Sequence, residues 1–135
     1  MTESHKGRCL CGAVEFEFEG KPNWVAYCHC ESCRRNTSSP TTTFIGVGRD
    51  KYRFTKGETA FYESSPGVRR HFCATCGTPM AFDADHYPEE IHFYLVSLLD
   101  PESFSPRAHV FISEKLSWFE IDDDLRRHQG GGADS

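Results

Sequence analysis

Cys28-His29-Cys30-Glu31-Ser32-Cys33 places three thiols within six residues, a density at which sulfurs close on one metal ion more readily than they serve three unrelated purposes. The other four of the seven cysteines fall in two pairs, Cys9-Leu10-Cys11 and Cys73-Ala74-Thr75-Cys76. A closed structural zinc site takes four protein ligands, whereas a catalytic one commonly takes three and keeps a position for water or substrate. The seven thiols therefore divide as four plus three, one closed site from the outer pairs and one open site from the central triplet.

The outer pairs share a design. Each puts two sulfurs on a tight turn, and the glycine after each second cysteine, Gly12 and Gly77, suits a backbone position with positive φ. Joining Cys11 to Cys73 closes a loop of about 60 residues, which by analogy with a disulfide of that span lowers unfolded-state entropy by roughly 4 kcal/mol. A small domain's whole stability is about 5–15 kcal/mol. A zinc ion on these four thiols is thus expected to decide folding, and the competing reading is two unrelated thiol pairs. Disulfides are a further alternative, but residues 1–8 (MTESHKGR) are polar with no apolar signal core, so secretion is not indicated and a reducing cytoplasm is expected. A thioredoxin-like role for Cys73 and Cys76 would need a βαβ context, which the strand-rich surroundings do not offer.

The central triplet has no fourth cysteine. His29, His71 and His109 are each imaginable as a fourth ligand. His29 is disfavoured because both of its neighbours are ligands, and His71 alternates with Phe72 in a strand pattern that leaves its direction open. Otherwise an exogenous thiol or water completes the site. Zinc with three thiolates carries a net charge near −1, so it is a weaker Lewis acid than histidine-rich zinc, and a soft thiol suits it better than hydrolysis does. Arg34 and Arg35 follow the triplet, and Arg69 and Arg70 precede the second outer pair. They are either solvated charges or forked partners for carboxylates.

The rest of the chain reads as short strands. Residues 13–19 (AVEFEFE) alternate with a period of two, and residues 24–27 (WVAY) deliver the chain to the triplet. Further strands are expected at 41–47, 52–54, 59–63, 68–72, 78–82 and 91–98, with 110–112 and 117–121 closing the sheet. Pro66-Gly67 marks a hairpin. The loop after Cys33 has room for one helical turn, and no amphipathic helix is evident. Residues 1–121 form a single zinc-binding domain, and residues 122–135 (DDDLRRHQGGGADS) have little to bury and read as a disordered tail. The fold class is all-β, short antiparallel strands with metal-bound turns. A net charge of −5 gives no footprint for nucleic acid. The longest apolar run, residues 91–99, is too short to span a membrane. A soluble, cytoplasmic protein is expected, and its oligomeric state is open.

Taken together, Gly7-Arg8-Cys9-Leu10-Cys11-Gly12-Ala13-Val14, Cys28-His29-Cys30-Glu31-Ser32-Cys33-Arg34, Phe72-Cys73-Ala74-Thr75-Cys76-Gly77-Thr78 and Pro106-Arg107-Ala108-His109-Val110-Phe111-Ile112 with Trp118 resemble the glutathione-dependent formaldehyde-activating enzymes, which share a domain with centromere protein V. The resemblance implies a fold called a β-tent. It implies two zinc ions per chain, a structural one on Cys9, Cys11, Cys73 and Cys76 and a catalytic one on Cys28, Cys30 and Cys33. It also implies a carbon-sulfur lyase that condenses glutathione with formaldehyde to S-(hydroxymethyl)glutathione, with Arg34 and Arg35 as candidates for the glutathione carboxylates. Thiols add to formaldehyde unaided, so a non-catalytic carrier of glutathione or its conjugates is the alternative. A chromatin module is a third, against which the acidic balance argues.

Overall fold

The structure is a computed structural model, and it describes residues 3–131. The chain runs through β1 (Ser4–Arg8), β2 (Glu15–Glu19), β3 (Trp24–Cys28), α1 (Glu31–Thr37), β4 (Thr42–Gly48) and β5 (Tyr52–Lys56). It continues through β6 (Ala60–Ser65), β7 (Val68–Phe72), β8 (Pro79–Ala84), β9 (Glu90–Tyr94), β10 (Ala108–Val110) and β11 (Arg126–Arg127), with three short 3-10 turns after β9. The fold is all-β with one short helix, as the sequence implies.

Two sheets form. The smaller has the order β1-β2-β5 and the larger the order β11-β10-β3-β4-β9-β8-β7-β6. Alternation explains how they meet. In β2, Phe16 and Phe18 are buried while the glutamates between them face water. In β4 and β9 the register sets Ile45 opposite Phe93 and Phe44 opposite Tyr94, so successive residues serve opposite faces of the larger sheet. Ile45, Val47, Ile91 and Phe93 turn toward the smaller sheet and form the main core with Phe16 and Phe18. The Phe16 and Phe93 rings stack with centroids 4.2 Å apart. Gly7 in β1 permits this packing, because a Cβ there would collide with the Phe16 ring. On the other face, Phe44 and Tyr94 make a second apolar cluster with Cys28 and Cys33. The triplet and the main core thus lie on opposite sides of one sheet.

Four expectations change. β1 went unrecognised because its inward positions are His5 and Gly7, neither of which reads as apolar. The triplet continues into α1, where only an isolated turn was expected. Its Cys33 is the sole buried helical residue, so the segment has no amphipathic signature. Residues 117–121 form no strand, and β9 ends at Tyr94 in a 3-10 turn. Finally, β10 and β11 join the sheet in parallel, β10 against β3 and β11 against β10, so the sheet is not wholly antiparallel.

The chain beyond residue 121 is also ordered where it is described. The amide of His128 donates to the His109 carbonyl at 2.8 Å, and the amides of Phe111 and Ile112 donate to Gly130 and His128. Backbone pairing on a sheet edge holds this segment, which composition cannot reveal. Residues 132–135 of the expected tail lie outside the described residues.

Candidate metal centres

The sequence delivers the outer pairs as two turns at strand ends. The first follows β1, where the Cys9 amide bonds the Val14 carbonyl at 3.1 Å. The second links β7 to β8, where the Gly77 amide bonds the Cys73 carbonyl at 2.7 Å. Gly12 and Gly77 have φ of 81° and 82°, the conformation expected of glycine in such turns. The sulfurs of Cys9 and Cys11 are 3.7 Å apart, and those of Cys11 and Cys73 are 3.9 Å apart. All four lie within 4.8 Å of one another. Zinc–sulfur bonds of ~2.3 Å in a tetrahedron separate the sulfurs by about 3.8 Å, so this cluster has the dimensions of a four-thiolate zinc cage. Amides of Val14 and Cys76 point at the Cys9 and Cys73 sulfurs. The Thr78 hydroxyl lies 3.1 Å from the Cys76 sulfur and, with the Thr78 backbone, lowers the Cys76 thiol pKa to about 5. These donors favour thiolates, the form that binds metal.

The triplet is assembled by a strand end and a helix start. Cys28 is the last residue of β3. Cys30 caps α1, its sulfur accepting the Cys33 amide at 3.3 Å, and Cys33 sits in the first turn. The Cys28 and Cys33 sulfurs are 3.8 Å apart, again the edge of a zinc–thiolate tetrahedron. All three sulfurs fall within 4.8 Å of one another, and among the described residues no His, Asp or Glu joins them. Both clusters could therefore hold a metal ion, and the all-sulfur donor sets suit zinc. All seven cysteines are free thiols, with no disulfide among them.

The environments differ. Cys28 and Cys33 are buried at 5% and 3% exposure. Hydrogen bonds from Cys28 and Cys30, aided by Arg70, hold Cys33 ionised with a pKa of about 3, while the proximity of Cys30 and Cys33 pushes Cys28 strongly upward. Arg70 is itself buried, at 7% exposure. Its Nη1 donates to the Cys33 sulfur at 3.5 Å and its Nε to the Ser64 hydroxyl at 3.1 Å. Its guanidinium carbon lies 5.0 Å from the Phe82 ring centre. Tyr94 completes this wall, accepting a hydrogen bond from Asn36 at 3.1 Å. Burial, and next the charge of Cys33, keep its phenol protonated well above the usual range.

The three histidines considered as fourth ligands go elsewhere. His29 turns away from its cysteine neighbours, is fully buried, and places Nε2 2.9 Å from Nδ1 of His109. The Nε2 of His109 in turn meets the Asp123 carboxylate at 3.0 Å. His71 projects from β7 on the side opposite Arg70, where it contacts Thr59 at 2.7 Å and Asp83 at 3.2 Å. Arg69 is bound to Asp83 and Asp85. Arg35 pairs with Glu31 at 2.8 Å, and Arg34 donates to the Glu114 carbonyl at 3.3 Å. Both arginines line a shallow cavity of about 310 Å³ with Ser38, Leu116 and the exposed Trp118.

Arg70, expected as a solvated charge or a carboxylate partner, is found instead on the Cys33 sulfur, while Asp123, the partner of His109, was missed. For Arg70 a signal existed, since Val68-Arg69-Arg70 alternates on a strand and sets Val68 and Arg70 on the same side. For Asp123 there was none, because its partner His109 is reached through a tail of polar composition.

The family model described as glutathione-dependent formaldehyde-activating enzyme matches residues 4–114, the span that holds all seven cysteines. The chain belongs to that family. An uncharacterized lyase of Schizosaccharomyces pombe is 32% identical over 119 residues, covering 87% of this chain and 85% of the relative. A Rhodobacter sphaeroides protein of known crystal structure shares 27% identity with a TM-score of 0.59, covering 76% of this chain and 92% of its own. Membership in the formaldehyde-activating family makes glutathione the small thiol to consider at these clusters. Among the described residues no helix is long and apolar enough to cross a membrane.

Proposed function

We propose that this protein is a cytoplasmic zinc-dependent carbon-sulfur lyase that joins glutathione to formaldehyde or a similar small electrophile. Cys9, Cys11, Cys73 and Cys76 hold the structural zinc of a β-tent domain, and Cys28, Cys30 and Cys33 hold the catalytic one. The observation that carries this reading is a largely buried three-sulfur cluster with metal-binding spacing and, among the described residues, no fourth protein ligand beside it. Zinc bound there would supply a seat that favours the thiolate form of an incoming thiol.

The chain's own residues supply the rest. Cys28 at a strand end and Cys30 and Cys33 on α1 fix the three sulfurs, so the guest sulfur has one direction of approach. Phe44, Tyr94 and Phe82 wall the site with apolar surface and limit water near the reacting atoms. The thiol S–H proton is released to solvent as the guest thiolate forms, the guest sulfur bonds to the aldehyde carbon, the carbonyl π electrons move to oxygen, and that oxygen takes a proton back from solvent. The product is a hemithioacetal and no redox change occurs. Arg34 and Arg35, on the cavity beside α1, would take the glutathione carboxylates through forked hydrogen bonds.

The test is the rate of hemithioacetal formation from formaldehyde and glutathione with zinc-loaded protein over a range of glutathione. Saturable acceleration is expected. Glutathione binding with no acceleration would replace the lyase with a carrier of glutathione or its conjugates. No binding at millimolar glutathione would overturn both.

A further inference from the structure

The two sulfur clusters lie in opposite electrostatic settings. The four-cysteine cluster has Cys9 and Cys73 buried but opens to the surface through exposed Cys11 and half-buried Cys76, so water can screen part of the charge near −2 that zinc with four thiolates would carry. In the triplet Cys28 and Cys33 are buried and Cys30 is half-buried, with no fully exposed member. A thiolate guest there would bring zinc and its four sulfurs to the same charge near −2, but away from water, where charge is costly unless paired. Compensation must then come from the protein.

Among the described residues, Arg70 is the one cation whose hydrogen bond reaches a triplet sulfur. Arg34 donates to the Glu114 carbonyl and Arg35 to the Glu31 carboxylate, Arg69 is bound to Asp83 and Asp85, and none of the three makes a hydrogen bond to a triplet sulfur among the described residues. Arg70 is also held in place for the role. The Ser64 hydroxyl accepts from Nε, the Phe82 ring supports the guanidinium from one side, and Nη2 makes no hydrogen bond among the described residues. A guanidinium carries five N–H donors and stays charged at any working pH. Nη2 is not among the buried polar atoms without a partner, so it keeps access to solvent and offers its donors to an anion that arrives beside Cys33.

We propose that Arg70 is the specificity-determining residue of the triplet, the fixed positive charge that makes an anionic thiolate, rather than water, its preferred fourth ligand. This rests on the reading above in one respect, that the triplet binds metal and takes a thiol. It differs in assigning preference for the guest to the protein cation across the sheet instead of to the zinc or to the arginines of α1.

The experiment uses the full chain with cobalt(II) replacing zinc, whose visible and sulfur-to-metal charge-transfer bands report a fourth thiolate directly. Glutathione and 2-mercaptoethanol are titrated separately, with S-methylglutathione as the control that cannot become a thiolate. Arg70→Met, which keeps volume over Phe82 but removes charge, should weaken both thiols by about tenfold or more, as expected for a lost hydrogen bond to a charged group. Arg70→Lys should recover affinity to within about threefold of wild type, because it keeps the charge and loses only the fork. Equal thiol affinity in wild type and Arg70→Met overturns the inference. Should Arg70→Met fail to fold, Ser64→Ala, which frees the guanidinium from its anchor, should cost about threefold, and unchanged affinity there overturns it equally. Binding of 2-mercaptoethanol but not glutathione to wild type would remove glutathione from the proposed function and leave the Arg70 comparison intact. Binding of neither thiol would overturn both.

Discussion

The two cysteine clusters are assembled from the chain in different ways. The four-cysteine cluster draws from turns 62 residues apart in the chain and ties β1 of the smaller sheet to β7 and β8 of the larger one. Cys11 and Cys76 reach the rim while Cys9 and Cys73 are buried, and backbone amides and a threonine answer the sulfurs. The three-cysteine cluster draws from one strand-to-helix junction, is buried, and is answered by a long-range arginine. A site that spans distant chain segments contributes to folding, because it removes entropy from the unfolded state. A site that is local in sequence contributes little to that entropy and is free to be incomplete. The contrast supports the proposed division of the seven thiols between shape and chemistry.

The largest effect should come from breaking the spanning cluster. Cys73→Ser should leave the protein unfolded or aggregated, since structural zinc contributes apparent binding free energies of about 10–16 kcal/mol in small domains, as large as the whole stability of such a fold. Circular dichroism and zinc content together check this. Cys30→Ser should instead keep the fold, because serine caps a helix as cysteine does here, and should lose one zinc per chain together with thiol binding. Equal unfolding by the two variants would erase the contrast between the clusters.

A middle-sized effect sharpens the comparison through pH. Burial, reinforced by the facing His109, lowers the pKa of His29 to about 4, below the ordinary value near 6.5. The unfolded chain therefore takes up the proton first, and stability should fall as pH drops from about 6.5 toward 4. Thermal midpoints of zinc-loaded protein at pH 7 and pH 5 should diverge less for His29→Phe, which keeps an aromatic ring against Phe119, than for wild type. The smallest effect is expected at Arg35, 77% exposed in its pair with Glu31. Arg35→Ala should move the thermal midpoint by no more than about 2 °C. Its affinity for glutathione should fall a few fold while 2-mercaptoethanol binding is unchanged, since only glutathione has carboxylates to lose.

Much of the fold was legible from alternation. The glutamate-phenylalanine repeat of β2, the β-branched run of β4 and the Pro-Gly hairpin between β6 and β7 all carry their conformations in local chemistry. What failed was legible only through partners. β1 hides behind a histidine and a glycine because the aromatic rings it touches come from β2 and the segment after β9. The segment carrying β11 hides because backbone hydrogen bonds order it without apolar side chains. Parallel pairing of β10 has no sequence signature at all.

Spacing alone determined two close cysteine pairs and one close triplet, because a turn of two to six residues dictates how closely its sulfurs can approach, whereas the meeting of the two pairs, 62 residues apart, was decided by the fold. It also determined an all-β chain, since a period of two shows in the letters themselves. Tertiary structure decided which charges face those sulfurs. Five arginines, Arg8, Arg34, Arg35, Arg69 and Arg70, lie close to the clusters in sequence, yet among the described residues Arg70 alone reaches a triplet sulfur, because strand direction and sheet order, set by the packing of the whole molecule, choose the side on which each residue of β7 emerges.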